Sequence, residues 1–177
     1  MKRLAFVLLA AVVVFMPACD DDNPTNPTGV LPLRFTADLR ASNEVNPSVT
    51  NAESAATGSM TLTIEVTRDS SNNITTINSS TFVVNLANFP ANTALTAAHI
   101  HPGAAGVNGA PLINLNLAAG EVTLGANGSG SFTKSPQVPI TVEQAQNLAN
   151  APETFYFNVH TPSNPSGAAR GQLVRTQ

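Results

Sequence analysis

The sequence predicts an all-β domain: an antiparallel β-sandwich of immunoglobulin-like or Greek-key type, or a partly closed barrel, with one short helix. Three observations predict it. Short runs that alternate apolar and polar residues, the period of half-buried strands, recur along the chain. Turn-forming clusters separate them. Only one stretch, Thr141 to Ala149, carries a helical apolar period.

The first residues stand apart from this pattern. Lys2-Arg3, an apolar run from Leu4 to Met16 and then Pro17-Ala18-Cys19 describe a secretory signal peptide over residues 1–18. The run is short of the roughly 20 apolar residues that span a bilayer. Met16-Pro17-Ala18-Cys19 resembles a bacterial lipobox, which makes Cys19, the single cysteine, a lipidation site. Several acyl chains on Cys19 would anchor the protein stably to a membrane. Residues 19–29 continue as Asp20-Asp21-Asp22 and a Pro-, Asn- and Thr-rich segment, an acidic tether with no apolar side chain to bury. The folded domain is expected over residues 30–177. The expected location is the cell envelope, outside the cytoplasm.

Within the domain, Leu33 to Arg40 alternates with Leu33, Phe35, Ala37 and Leu39 inward. Gly58 to Arg68 repeats the pattern with Met60, Leu62, Ile64 and Val66. Asp69-Ser70-Ser71-Asn72-Asn73 is turn chemistry, so Ile74 to Leu86 should return antiparallel. Thr96 to His101 is a short strand ending at Pro102, followed by the flexible loop Gly103–Ala110. Pro111 to Leu117 is expected as a strand. Glu121–Leu124 and Ser129–Thr133 are expected as a hairpin around Asn127-Gly128. Thr141 caps the helix, which buries Val142, Ala145, Leu148 and Ala149. Phe155, Phe157 and Val159 alternate with Tyr156, Asn158 and His160. Arg170 to Arg175 is the last strand.

Composition limits the function. Without Lys2 and Arg3 the chain keeps six basic residues (Arg34, Arg40, Arg68, Lys134, Arg170, Arg175) against 11 acidic ones. No basic patch emerges, so nucleic acid is not an expected partner. The glycine-rich loop lacks the Gly-Lys-Ser/Thr ending of a phosphate loop, and no Gly-x-Ser-x-Gly elbow occurs. The acids are scattered and form no pair suited to glycoside chemistry. The domain is therefore expected to be non-enzymatic.

The three histidines of the chain fall in two segments. His99 and His101 are two apart on a strand and share a face; His160 shares its face with Asn158 and Tyr156. If the two strands are neighbours, the imidazoles converge and can bind copper or zinc through three nitrogens. The alternative is that each ring pins the loop Gly103–Ala110 or the turn Pro162–Gly167 through a donated N–H. Arg170 and Asn158 are candidates for anion binding or structural roles; five guanidinium donors can equally hold loop carbonyls.

Ala98-His99-Ile100-His101 with Gly103, Gly106, Asn108 and Gly109, and Phe155-Tyr156-Phe157-Asn158-Val159-His160-Thr161 with Asn164-Pro165, Gly167 and Arg170-Gly171-Gln172-Leu173, resemble the signature of the CHRD (chordin-type) domain family. Phe35 to Leu39 and Asn43-Glu44-Val45 fit its opening. The sequence departs at Pro102, where a glycine is common. It departs again at Ala168-Ala169, where an acidic residue usually precedes the arginine. The resemblance implies an all-β extracytoplasmic module; the Thr- and Asn-rich strand faces suit a binding or structural role with protein or carbohydrate at the cell surface as partner. It supplies no activity.

Overall fold

The computed structural model describes residues 32–135 and 138–177. The expected signal peptide (1–18), the expected lipidation site Cys19 with the expected tether (19–29), and the expected start of the domain at residue 30 lie outside the described residues. Among the described residues nine strands form one antiparallel sheet: β1 (Leu33–Arg40), β2 (Thr57–Arg68), β3 (Ile74–Ala87), β4 (Ala97–Pro102), β5 (Ile113–Asn114), β6 (Gly130–Lys134), β7 (Phe155–His160), β8 (Ala169–Gln172) and β9 (Val174–Arg175). Their lateral order is β5-β4-β7-β8-β1-β2-β3-β6, with β9 also beside β1. The sheet is open, ending at β5 and β6, yet strongly curled. Phe82 on β3 and Phe157 on β7 lie four strands apart along it. Strands spaced about 4.8 Å would put them nearly 20 Å apart in a flat sheet, but their ring centroids are 6.3 Å apart. The curl encloses one apolar core, and this is the partly closed barrel of the predicted all-β class.

The alternating runs explain the core. Leu33, Phe35, Ala37 and Leu39 of β1, and Met60, Leu62, Ile64 and Val66 of β2, are all buried. The register pairs Phe35 with Leu62 and Ala37 with Met60, so each inward row is apolar on both strands. The expected return strand is β3, paired with β2 along its length. The helix α1 (Val142–Asn150) has the expected Thr141 cap, completed by Gln144 as a capping box, and buries Ala145 and Leu148.

Three expected elements differ. Glu121–Leu124 is not a strand and makes only an isolated bridge, Thr123 with Ala94. The Asn127-Gly128 turn is present, with Gly128 at φ 68°, but β6 pairs with β3 instead. The long β3 offers it five residues of ready edge, which a four-residue partner could not match. The strand expected over Pro111–Leu117 shrinks to β5, because the Asn116 N–H turns back onto the Asn114 side chain and Asn116 adopts φ 50°. The last strand splits. β8 pairs with β7 and β1, whereas β9 pairs with β1 further along. Between them the Leu173 N–H donates to the Phe155 carbonyl.

β4 and β7 are neighbours, paired antiparallel with His99 opposite Asn158, His101 opposite Tyr156 and Ala97 opposite His160. β8 extends these rows, placing Arg170 opposite Asn158 and Gln172 opposite Tyr156. Ala98, Ile100, Phe157 and Val159 take the core face. The other face of β7 is buried as well, since the loop after β4, the segment around Glu44 and the turn after β7 cover it.

Candidate metal centre

On this covered face the three imidazoles meet. One nitrogen from each of His99, His101 and His160 can be chosen so that all lie within 4.8 Å of one another. His99 Nδ1 is 3.0 Å from His160 Nε2. His101 Nε2 and His160 Nε2 each lie 3.0 Å from Asn158 Oδ1. His101 and His160 are 5% and 7% exposed; His99, half-buried, is the open side of the cluster.

The loops decide which nitrogen of each ring carries its proton. His101 Nδ1 lies 2.9 Å from the Gly109 carbonyl oxygen, and His160 Nδ1 lies 3.0 Å from that of Pro165. A carbonyl only accepts, so both Nδ1 atoms donate. Both rings therefore do what the loop-pinning alternative expected, and that same contact frees each Nε2 for the cluster. Burial pushes the pKa of all three histidines down, His99 to about 4 with added repulsion from His160 and His101. The rings are thus neutral near pH 7. Neutral rings with protonated Nδ1 atoms carry lone pairs on Nε2. Each of these two lone pairs lies 3.0 Å from the Asn158 carboxamide, and His160 Nε2 also lies 3.0 Å from His99 Nδ1.

Such a cluster of electron pairs fits a cation. Outer carbonyls that set the tautomer and orientation of ligating imidazoles are the usual second layer of a metal site. The residues that would hold the ion are His99, His101 and His160, with the Asn158 oxygen beside them.

Two residues that sequence reasoning did not single out complete the surroundings. Glu44, 4% exposed, accepts from Asn158 Nδ2 at 3.4 Å. Burial raises its carboxyl to about 7, against the opposing pull of Asn158 and Arg170. Its carboxylate sits where a Cβ on Gly167 would stand, and Gly167 has φ 142°. Tyr156 stacks parallel on His101, centroids 4.8 Å apart and planes within 1°. The Arg170 guanidinium lies 3.4 Å above the centroid of that tyrosine.

Arg170 is a loop clamp. Its Nη2 donates to the Ala104 and Val107 carbonyls at 2.8 and 2.9 Å, and its Nη1 to Asn108 Oδ1 at 3.1 Å. The clamped loop brings the Gly109 carbonyl to His101. Gly109 itself leaves no room for a Cβ, which would run into the Pro102 carbonyl. The turn after β7 is tied down by Glu53, which accepts from Thr161 Oγ1 at 2.7 Å and Asn164 Nδ2 at 2.5 Å, and this fixes the position of Pro165.

Residues 35–173 match the CHRD domain family. The chain belongs to the CHRD domain family. No curated protein and no solved structure matches it. The match spans both histidine segments, and the CHRD fold of this chain is the curled all-β sheet described above. Of the residues predicted for a site, the fold brings His99, His101, His160 and Asn158 together. It places Arg170 in the same cross-strand row as Asn158 and His99, with its guanidinium turned over the Tyr156 ring. Cys19 lies outside the described residues.

Proposed function

We propose that this CHRD domain is a non-enzymatic metal-binding module of the cell envelope. It binds copper or zinc through His99, His101 and His160 and is tethered to a membrane by a lipid on Cys19. The observation that supports the metal is the convergence of one nitrogen from each of the three imidazoles within 4.8 Å, with the Nδ1 protons of His101 and His160 committed to loop carbonyls so that their Nε2 lone pairs turn inward. The anchor rests on Leu4–Met16 and the lipobox-like Met16-Pro17-Ala18-Cys19.

Copper is favoured over zinc. Every donor in the set is neutral, and the Arg170 charge already disfavours added positive charge at His101. A monovalent ion costs less in such surroundings than a divalent one, and copper(I) is the monovalent ion that imidazoles accept. The metal, when bound, would lock β4 to β7 and to the turn after β7; in this reading it is held rather than used for chemistry.

The test is calorimetric titration of the purified domain with zinc, copper(II) and, under reducing conditions, copper(I). One equivalent should bind, copper(I) tightest. Each of His99→Ala, His101→Ala and His160→Ala should weaken binding by about 100-fold or more. A tight site that survives all three changes, or no site at all, overturns the reading.

A further inference from the structure

Arg170 raises a second question, independent of the metal. Its side chain is 1% exposed, yet among the described residues the ion pairs within 4.0 Å are Arg40–Asp38 and Lys134–Glu121. A buried guanidinium with no carboxylate partner is an expensive arrangement. The nearby carboxyl group, Glu44, makes no hydrogen bond to it and is itself pushed toward the neutral form. The ring of Tyr156 and four oxygen acceptors offset part of the cost. Those acceptors engage Nη1 and Nη2; the Nε–H has no acceptor among the described residues.

Arg170 also lines a cleft of about 490 Å³, inside the range of small-molecule sites. Gln172 and Ser42 share the cleft wall with it, and Val45, Ala105 and Val174 give that wall an apolar side. Val174 is 58% exposed, an apolar side chain left open to solvent at the rim. The Ser42 hydroxyl has no hydrogen-bond partner among the described residues. Asp38, also on the wall, does not oppose an anion strongly, because Arg40 takes up its charge at 2.8 Å.

We propose that this cleft binds a small organic carboxylate. The acid group pairs with Arg170, and a short apolar body lies against Val45, Ala105 and Val174. The ligand supplies the missing counter-charge and covers the exposed valine. A free branched-chain acid and the terminal carboxylate of a peptide present the same chemistry.

The experiment follows the Arg170 Nε–H and the Gln172 side-chain amide of the ¹⁵N-labelled domain by NMR. The probes are isobutyrate, N-acetylvaline and the neutral isostere isobutyramide. Both acids should give saturable shifts of these signals by roughly 10 mM. The amide should bind about tenfold more weakly, since a charge-assisted hydrogen bond is lost. Preference for N-acetylvaline assigns the site to chain termini, and preference for isobutyrate to free acids. Ser42→Trp fills the cleft from an exposed turn that makes no hydrogen bond to the Arg170 side chain, and should abolish the shifts while the spectrum stays folded. Equal binding of the amide, shifts that persist in Ser42→Trp, or no saturable shift by either acid overturns the proposal.

Discussion

Glu44→Gln should stabilise the metal-free domain at neutral and alkaline pH and leave it nearly unchanged in acid. In the folded protein the Glu44 carboxyl is raised from 4.5 to about 7, mainly by burial. A raised acid binds its proton more tightly in the folded state than in the unfolded one. Between pH 4.5 and 7 the folded chain therefore holds more protons, and stability falls as pH rises through that window. Below pH 4.5 the carboxyl is neutral in both states and costs nothing; above 7 it is ionised in both and the loss is complete. The gap corresponds to about 3 kcal/mol. With the residue 4% exposed, little solvent screening reduces it. Glutamine keeps the shape of the neutral acid and its place against Gly167 but cannot ionise. Urea melts followed by circular dichroism in EDTA, at pH 4.5, 6, 7 and 8, should show the variant gaining on the parent by about 3 kcal/mol across the series, roughly 10 °C in Tm for a domain of this size. The histidines act oppositely: their lowered pKa values cost stability as pH falls below 6.5. Taking the difference between variant and parent at each pH removes that common slope. A difference that stays constant from pH 4.5 to 8 would refute the buried neutral carboxyl.

Three further outcomes follow from the geometry. Long-range ¹H–¹⁵N spectra at pH 7 should show His101 and His160 as neutral rings protonated on Nδ1, because the Gly109 and Pro165 carbonyls accept there; Nε2–H tautomers would contradict the lone-pair arrangement. Asn158→Asp puts a carboxylate among the three imidazoles, and calorimetry should then find metal bound about tenfold tighter or better, as charge-assisted contacts outmatch neutral ones. Gly171→Ala sets a Cβ against the Asp38 backbone where β8 crosses β1, and urea titration should register a loss of about 1–3 kcal/mol from overpacking.

The sequence carried the period-2 strands and the facing of the histidines because both are local properties. Side chains two apart on a strand share a side whatever the topology, so His99 with His101, and Asn158 with His160, could be placed before any fold was known. That β4 lies beside β7 could only be hypothesised, and the register that sets His99 against Asn158 comes from the closure of the whole sheet. What the chain did not disclose are contacts made across long separations. Glu44 reaches Asn158 over 114 residues, and Arg170 reaches Ala104 over 66. Glu44 reads locally as one more loop acid after Asn43; its neutral, buried state depends on the turn at Gly167 lying over it. The strand expected at Glu121–Leu124 failed for a related reason. Its apolar alternation was real, and Val122 and Leu124 are indeed buried, but burial against the core does not require a ladder partner.

The loop Gly103–Ala110 joins the histidine cluster to the cleft beside Arg170. Its Ala104 and Val107 carbonyls and its Asn108 side chain hold Arg170, its Gly109 carbonyl fixes the His101 tautomer, and its Ala105 and Gly106 form one wall of the cleft. Asn108 in turn donates to the Val45 carbonyl at 2.7 Å, tying the opposite wall to the same loop. Tyr156 lies between Arg170 and His101, in contact with both. A ligand that draws the Arg170 guanidinium toward the cleft would therefore act on the Gly109 carbonyl and the tyrosine stack at once. Both set the orientation of one imidazole in the cluster. Any such linkage is reciprocal in free energy, so metal at the histidines would alter carboxylate affinity in the cleft by the same factor that carboxylate alters metal affinity.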